Sequence, residues 1–324
     1  MIIGRGITAI GGRPHAETQA LAEAGSGARG ATAYITLEPC AHHGRTPPCA
    51  EALVTAGISR IVIAASDPDP RVSGKGAAIL RQAGIEVTEN VMANEAWDGL
   101  SPYLTRSVKK RPEVTLKLAL SSDGMIGRRV GKRIAITGPV SNAMVHLVRA
   151  EHDAILIGIE TALNDDPLLT CRLPGLERRS PIRIVLDGSA RLPISSRLAA
   201  SARDVPVWVA TLLDADPARC KALEQAGCRL IACENDNRRI ALPELLDDLA
   251  AQGLSSLLVE GGARVAGSFL LEDIVDRLVL FTSSNQLGAD GIAAPVTAHS
   301  VPKGFVSHAT ALYGTDQFEE FVRA

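Results

Sequence analysis

Short apolar runs rich in β-branched residues alternate with alanine-rich stretches along the chain, and this alternation limits the possible folds more than any other feature. The predicted strands of the first third are 33–37 and 60–64, and the predicted helices are 16–25, 49–57 and 75–83. Gly57 and Gly84 each stand between a predicted helix and the next strand, where a glycine commonly ends a helix. The pattern predicts a layered α/β fold with short connections.

A charged segment that ends in proline, 109–112, interrupts this pattern after a predicted helix over 93–108. Proline disfavours helical backbone in the residue before it, so the helix should end here. A chain of 324 residues is also longer than one hydrophobic core usually organises. We therefore expect two domains, 1–110 and 111–324. In the second domain the predicted strands are 113–120, 153–158, 181–187, 206–211, 228–232, 255–260 and 275–283, and the predicted helices are 139–150, 215–226, 242–252 and 263–272.

Charge and composition narrow the classes of function. The 34 basic and 36 acidic residues give a net charge of −2, and no run of lysine and arginine is long enough to follow a nucleic-acid backbone. We therefore expect small-molecule substrates and no nucleic-acid partner. No apolar stretch of ~20 residues could span a bilayer, and the start of the chain is too short and interrupted for a signal peptide. The six cysteines favour free thiols or metal ligands in a cytoplasmic protein.

Three potential metal ligands stand at the ends of predicted elements in the first domain. His15 opens a predicted helix, Cys40 follows a predicted strand, and Cys49 lies near the start of the next helix. Catalytic zinc typically takes three protein ligands and keeps a fourth position for water. Glu17, two positions after His15, is placed to shuttle protons to and from that water. Alone, the histidine would be a surface residue and the cysteines small buried hydrophobes, but together they predict a zinc site.

Residues 36–49, TLEPCAHHGRTPPC, closely resemble the deaminase domain of the bacterial RibD riboflavin-biosynthesis proteins. Zinc deaminases of nucleobases carry the signature H-x-E…P-C-x-x-C. Here eight residues separate Cys40 from Cys49, and this long insert is the feature that points to the RibD family. The resemblance implies that His15, Cys40 and Cys49 bind Zn²⁺ and that Glu17 is the catalytic residue.

The same resemblance implies a pocket for a ribosyl phosphate. In the family the insert contributes to this pocket, here with cationic and hydrogen-bonding side chains from His42, His43, Arg45 and Thr46. The loop 67–76, DPDPRVSGKG, is similar to a family loop in which an aspartate and a lysine, here Lys75, help to bind substrate. Taken alone, this loop would only be rich in turns.

The second half of the chain continues the resemblance, which therefore covers nearly the whole sequence. The strings 115–126, 164–172 and 259–268 resemble successive segments of the family's reductase domain. They imply a dihydrofolate-reductase-like C-terminal domain beside a cytidine-deaminase-like, three-layer N-terminal domain. By this resemblance the substrate-binding residues are Lys117, Arg149, Leu169, Arg172 and Glu260. The NADPH-binding residues are Ala119, Thr161, Asp165, Gly262, Ala263, Arg264, Val265, Ala266, Gly267 and Ser268.

The residues of the string 259–268 are also of types that can bind a phosphate group. The string 259–268 ends a predicted strand with glycines and starts a helix, where free backbone N–H groups and the helix dipole favour a phosphate. Because the string lacks G-x-G-x-x-G, it would support cofactor binding only weakly on its own. It supports this role here because it lies within the longer resemblance. Arg149 and Arg172 could clamp a phosphate bidentately. Taken alone, Lys117, Arg149 or Glu260 would more simply indicate an exposed salt bridge.

The resemblance implies a bifunctional, homo-oligomeric enzyme with Zn²⁺ and NADPH as cofactors. It would deaminate 2,5-diamino-6-(5-phosphoribosylamino)pyrimidin-4(3H)-one and then reduce the ribosyl group of the resulting uracil to a ribityl group. One alternative is a monofunctional reductase whose deaminase domain is a degenerate scaffold. A nucleic-acid deaminase would need a cationic, aromatic-lined surface, which the near-neutral charge and 3% aromatic content oppose. A non-catalytic assembly protein would contain no zinc.

Two departures from the family pattern bear on these predictions. Family members begin with a helix and a strand, including a Pro-Asn-Pro segment, before the strand that 2–6 matches here. We therefore expect either a start codon upstream or a deaminase half kept as a scaffold, and the intact zinc ligands and Glu17 favour the first. The second departure is at Arg133 and Ala135, where many relatives have a serine and a tryptophan that touch substrate and cofactor, although Thr137 keeps the pattern.

Overall fold

The computed structural model describes residues 1–9, 11–43, 47–69, 72–129, 134–236 and 239–324. They form two compact units, Met1–Lys110 and Arg111–Ala324. In both units parallel strands are joined by helices, which confirms the predicted α/β layering. None of the described helices combines the length and the apolarity needed to cross a membrane.

A parallel sheet lies at the centre of the first unit. Its strands are, in order, β1 (Thr32–Leu37), β2 (Arg60–Ala65) and β3 (Glu86–Thr88). The helices are α1 (Ala16–Ala24), α2 (Cys49–Thr55), α3 (Lys75–Gln82) and α4 (Ala93–Lys109). Leu53, Ile61, Ile63 and Leu80 are at most 2% exposed and form the centre of the core. Because parallel strands end at the same edge of a sheet, the segments that follow β1 and β2 lie side by side.

The second unit is built around a larger sheet. The strands of this unit, in the large sheet and in two small two-stranded sheets (β10-β11 and β14-β5), are β4 (Glu113–Leu120), β5 (Met125–Arg128), β6 (Ala154–Gly158), β7 (Ile182–Leu186), β8 (Val207–Leu212), β9 (Arg229–Cys233), β10 (Asn235–Asp236), β11 (Arg239–Ile240), β12 (Ser256–Val259), β13 (Arg277–Thr282), β14 (Gly291–Ala293), β15 (Phe305–Tyr313) and β16 (Asp316–Arg323). Its helices are α5 (Pro139–Glu151), α6 (Ile159–Asp165), α7 (Arg197–Ala200), α8 (Pro217–Ala226), α9 (Leu242–Ala251) and α10 (Ala263–Leu271).

The strand order of the nine-stranded sheet is β15-β16-β13-β4-β12-β6-β7-β8-β9. The strands from β13 to β9 are parallel, and β15 and β16 add an antiparallel hairpin at the β13 side. In β6, every residue from Ala154 to Ile157 is 0% exposed. Burial on both faces explains why the central strands appear in the sequence as continuous apolar runs. The carboxyl ends of β4, β12 and β6 therefore meet at one edge of the sheet.

The sequence pattern does not predict the C-terminal hairpin. Strand β15 pairs with β16 from Phe305 opposite Arg323 to Tyr313 opposite Asp316, around a two-residue loop. Gly314 in that loop has a φ of 69°, which a glycine adopts without strain. A two-residue loop with glycine between β-prone runs is the signal that could have predicted it. Helix α6 is also absent from the prediction, because it has only seven residues and directly follows β6.

Candidate active sites

Three ligand atoms converge in the first unit where β1 has just ended and two helices begin. His15 precedes the first residue of α1, Cys49 is the first residue of α2, and Cys40 follows β1. His15 Nδ1 lies 3.6 Å from Cys40 Sγ and 3.3 Å from Cys49 Sγ, and the ligand atoms all lie within 4.8 Å of one another. The backbone N–H of Cys49 donates to Cys40 Sγ at 3.2 Å. The structure thus brings together the three predicted ligands.

This spacing fits a zinc ion. With Zn–S bonds of ~2.3 Å and Zn–N bonds of ~2.0 Å, tetrahedral geometry separates a nitrogen from a sulfur ligand by about 3.5 Å. The two nitrogen–sulfur distances, 3.6 and 3.3 Å, agree with that value. One imidazole and two thiolates are donors that zinc prefers, and a three-ligand set leaves a fourth position for water.

The charges in this cluster suit a cation and a proton carrier. A hydrogen bond between the two thiol groups lowers the pKa of Cys40 to about 5 and raises the pKa of Cys49, because the pair shares one proton. The pair therefore loses its first proton more readily than a free cysteine does, and the thiolate that forms suits a cation. Burial raises the pKa of Glu17, whose carboxylate also forms a hydrogen bond with the Cys49 side chain. The predicted proton shuttle thus lies directly beside the ligand cluster.

The predicted substrate-binding residues of this unit differ in exposure. His42 Nδ1 is enclosed but has no hydrogen-bond partner among the residues that the structure describes. Since buried polar atoms are nearly always paired, this nitrogen is suited to a ligand group. Lys75 is the first residue of α3 and its side chain is exposed, so it is accessible to an anion. Arg45 and Thr46 lie outside the described residues.

In the second unit, predicted substrate-binding residues gather near the carboxyl ends of the central strands. Glu260 directly follows β12, and its side chain is 11% exposed. Arg149 of α5 donates from Nε and Nη2 to the two oxygens of Glu260, both at 2.8 Å. Burial opposes the charge of Glu260, but the attraction of Arg149 and then of Lys117 outweighs it and lowers the pKa of Glu260 to about 2. Glu260 thus occupies this edge of the Arg149 guanidinium, and a phosphate clamp by Arg149 stays a prediction.

The backbone carbonyl oxygen of Thr170 joins the segment 164–172 to α5 by hydrogen bonds. His146 Nδ1 lies 3.1 Å from Thr170 O, and Arg149 Nη1 donates to the same oxygen at 3.4 Å. A carbonyl only accepts, so His146 Nδ1 carries the proton. The neighbouring Leu169 is buried and has a φ of 58°. His146 is absent from the predictions, although its spacing of three residues from Arg149 places both on one face of α5.

The turn between β12 and α10 depends on glycine. A Cβ at Gly261 would lie 2.6 Å from Val265 Cβ, and one at Gly158 would lie 2.7 Å from Val265 Cγ2. Only glycine therefore lets α10 begin so close to the end of β6. A Cβ at Gly262 would lie 3.5 Å from Thr161 Oγ1, so predicted cofactor-binding residues of α6 and α10 are neighbours. The first turn of α10 offers backbone N–H groups of the kind that bind phosphate.

The remaining predicted cofactor-binding residues differ in whether a cofactor could reach their polar groups. Ala266 is 0% exposed and its N–H donates to Gly262 O at 3.1 Å, so it has no group that a cofactor could contact. Ser268 Oγ donates to Arg264 O at 3.1 Å within the helix. Ala119 lies on β4 opposite Phe281, and Lys117 Nζ is 5.8 Å from the centre of the Phe281 ring.

For the other predicted residues the structure gives the element and the exposure. Asp165 ends α6, and Arg172 is exposed. Thr137 is buried just before α5, and Ala135 is exposed. Arg133 lies outside the described residues. Ala263 and Gly267 belong to α10.

Two family models match the chain. The model of the RibD C-terminal domain matches residues 112–303, which is more than half of the chain. The model of the cytidine and deoxycytidylate deaminase zinc-binding region matches residues 4–65. The second match includes Glu17 and the three predicted zinc ligands, His15, Cys40 and Cys49.

Individual relatives match across both units. The riboflavin biosynthesis protein RibD of Aquifex aeolicus is 39% identical over 287 residues, which are 89% of this chain and 78% of the relative. That of Escherichia coli is 37% identical over 309 residues, with 89% and 80% covered. The structure of Acinetobacter baumannii RibD superposes with a TM-score of 0.83 at 33% identity, over 96% of this chain and 86% of that one. A Thermotoga maritima structure, described as a diaminohydroxyphosphoribosylaminopyrimidine deaminase/5-amino-6-(5-phosphoribosylamino)uracil reductase, gives a TM-score of 0.80 at 33% identity, over 97% and 86%.

Proposed function

The chain belongs to the RibD family of riboflavin-biosynthesis proteins, and we propose that its two units catalyse successive reactions on one substrate. The Met1–Lys110 unit deaminates 2,5-diamino-6-(5-phosphoribosylamino)pyrimidin-4(3H)-one to 5-amino-6-(5-phosphoribosylamino)uracil. The Arg111–Ala324 unit then reduces the ribosyl group to a ribityl group. The observation that carries this proposal is the cluster of His15, Cys40 and Cys49 with Glu17 beside it.

In the first unit the protein groups hold the metal and move one proton. His15, Cys40 and Cys49 hold the zinc ion, which lowers the pKa of a water molecule towards neutrality when bound. Glu17 takes a proton from the attacking water and gives it to the departing amino group, so that water is consumed and ammonia is released. The raised pKa of Glu17 suits it to hold the proton between these two transfers. His42 and Lys75 bind the ribosyl phosphate.

In the second unit the protein groups orient substrate and cofactor. NADPH, when bound, would supply a hydride for the ribosyl C1 atom. The bond from C1 to the ring oxygen breaks, and that oxygen takes up a proton from solvent, which gives the ribityl chain. The first turn of α10, from Gly262 to Val265, and Thr161 receive the cofactor. Glu260 is held ionised by Arg149 and accepts hydrogen bonds from the substrate, and the charge of Lys117 acts on the same carboxylate. Leu169 adjoins Thr170, whose carbonyl oxygen accepts from Arg149. Arg172 supplies positive charge for the substrate phosphate.

We also propose the cellular setting and the assembly. The structure pairs none of the six cysteines in a disulfide, which supports a reducing, cytoplasmic compartment. They are Cys40, Cys49, Cys171, Cys220, Cys228 and Cys233. Strand β15 ends the order of the large sheet, so its outer edge is available to a second copy in a homo-oligomer. The balanced charge of the chain supports small-molecule substrates over nucleic acid.

The main alternative is a monofunctional reductase with a deaminase-like scaffold. The two proposals predict different results for one variant, Glu17→Gln, when it is assayed with the diaminopyrimidine and with the uracil substrate. In the bifunctional enzyme this variant keeps zinc and NADPH oxidation on the uracil substrate, but its ammonia release falls by about 10²-fold or more. If the unmodified chain carries zinc and releases no ammonia, the scaffold alternative is correct.

A further inference from the structure

We propose that Glu38 is a positioning residue of the deaminase site, which joins the Cys40 segment to the first turn of α3 and thereby places Lys75. This inference rests on the proposed function of the Met1–Lys110 unit. Glu38 stands within the string 36–49 but is not one of the predicted site residues. A carboxylate that is 3% exposed needs partners that explain its burial.

The partners of Glu38 are two backbone N–H groups at the start of α3. Gly74 N–H donates to Glu38 Oε2 at 3.0 Å, and Ala77 N–H donates to Glu38 Oε1 at 3.2 Å. The first N–H groups of a helix have no partner inside it, and a glycine before the helix has no side chain to supply one. Glu38 supplies both acceptors from a different segment of the chain, at the end of α3 where negative charge is favoured.

The same contact is enforced by close packing. A Cβ at Gly76 would lie 2.2 Å from Pro39 O and 3.2 Å from Glu38 Oε1. Only glycine therefore lets the first turn of α3 approach the segment between β1 and Cys40 this closely. Gly74 has a φ of 75°, so the chain enters α3 through a conformation that also favours glycine.

Lys75 lies between the two N–H groups that Glu38 binds, and Cys40 lies two positions after Glu38. The chain of contacts continues to the second thiol, because Cys49 N–H donates to Cys40 Sγ at 3.2 Å. Glu38 is thus the point at which the zinc-binding segment and the Lys75 turn are fixed relative to each other. A substrate that contacts both the metal and Lys75 requires that distance to be constant.

The test is a double-mutant cycle in the full chain, with Glu38→Gln, Lys75→Ala and both together. Glutamine has nearly the same shape but accepts through one oxygen only and places an amide donor against the second N–H. We measure KM and kcat for ammonia release, zinc per chain, NADPH oxidation on the uracil substrate, and deuterium exchange at residues 74–77. Glu86→Gln, a change at an exposed glutamate on β3 of the same unit, is the matched control.

We expect Glu38→Gln to raise KM by about tenfold or more, the loss that one charged hydrogen bond produces, with a smaller effect on kcat. Zinc and NADPH oxidation stay unchanged. In the Lys75→Ala background the same change should alter KM by less than about twofold, because the residue through which Glu38 acts is already gone. A merely structural role would give equal effects in both backgrounds, and that result would overturn the proposal.

Deuterium exchange separates this inference from the proposed function. If the unmodified chain releases no ammonia, the proposed deamination fails, but Glu38→Gln must still speed exchange of the Gly74 and Ala77 N–H groups by about tenfold or more, while Glu86→Gln does not. If Glu38→Gln leaves deuterium exchange at the Gly74 and Ala77 N–H groups unchanged, the positioning role is wrong, whether or not the chain is a deaminase. Should Glu38→Gln fail to fold, Gly76→Ala disturbs the same contact from the α3 side and must raise KM in the same way.

Discussion

Replacing Arg149 with methionine should destabilise the Arg111–Ala324 unit, because it leaves the Glu260 carboxylate buried without its main partner. Methionine keeps much of the length and apolar volume of the arginine stem. The two hydrogen bonds of 2.8 Å that hold Glu260 are lost with the guanidinium. Breaking one side of a buried ion pair is far more damaging than replacing both sides.

The magnitude follows from the pKa of Glu260. Its pKa is about 2, against 4.5 for an unperturbed glutamate. Since each pKa unit corresponds to 1.36 kcal/mol, the favoured ionisation of Glu260 by all its neighbours, with Arg149 first, contributes about 3 kcal/mol to the free energy of unfolding at neutral pH. Direct removal of one partner from a buried pair costs about 3–5 kcal/mol, which agrees with this value.

The pH dependence has a definite sign. In the unmodified chain the pKa of Glu260 is lower when folded, so its contribution is present above pH 4.5 and is lost as pH falls through about 2. Between pH 5 and 8 this contribution is constant. Without Arg149, burial raises the pKa of Glu260 above its ordinary value, so the variant should lose stability as pH rises from 5 to 8.

The measurement is denaturant unfolding followed by the fluorescence of Trp208, a buried residue of β8, in a Trp97→Phe background. Arg191→Met is the control, because its ion pair with Glu160 is exposed and worth less than about 1 kcal/mol. The double variant Arg149→Met with Glu260→Gln should lose the pH dependence. A loss below about 1 kcal/mol for Arg149→Met, or a loss that does not change with pH, refutes this reasoning.

Three further changes test other parts of the account. His15→Ala should lower the zinc content to well below one ion per chain and abolish ammonia release. The rate of NADPH oxidation on the uracil substrate should stay within about twofold of that of the unmodified chain. Retention of tightly bound zinc would contradict the assigned ligands. Gly261→Ala places a methyl group against Val265. The KM for NADPH should therefore rise by about tenfold or more, while the zinc content stays the same. An unchanged KM would exclude this turn from the cofactor site. Arg183→Leu removes a fully buried guanidinium that donates to three backbone carbonyls. The free energy of unfolding of the second unit, measured with denaturant, should therefore fall by about 3 kcal/mol or more. A loss no larger than that of Arg191→Met, at an exposed arginine, would contradict this prediction.

The sequence predicts the metal cluster well because its chemistry depends on residue type and spacing. His15, Cys40 and Cys49 are donors that zinc prefers, and each stands at the end of a predicted element. The α/β layering is also predictable, since buried parallel strands leave continuous apolar runs. These are properties that the local sequence determines.

Tertiary contacts between distant segments are not predictable in this way. Glu38 binds N–H groups 36 and 39 positions later, and Arg149 binds Glu260 111 positions later. Nothing in the sequence near Arg149 distinguishes a phosphate-binding arginine from one that holds a buried carboxylate. The hairpin of β15 and β16 leaves no continuous apolar run because its strands are only partly buried, so the glycine in its loop is the local signal that could have predicted it.

The most direct test of the central claim follows both products of one purified chain. The diaminopyrimidine ribosylamino phosphate is supplied first without NADPH and then with it, and ammonia and oxidised cofactor are measured. We predict ammonia release in the absence of NADPH, followed by oxidation of one NADPH for each ammonia released once the cofactor is added. NADPH oxidation without prior ammonia release, or ammonia release with no subsequent oxidation, would contradict the account of two active sites that act in sequence.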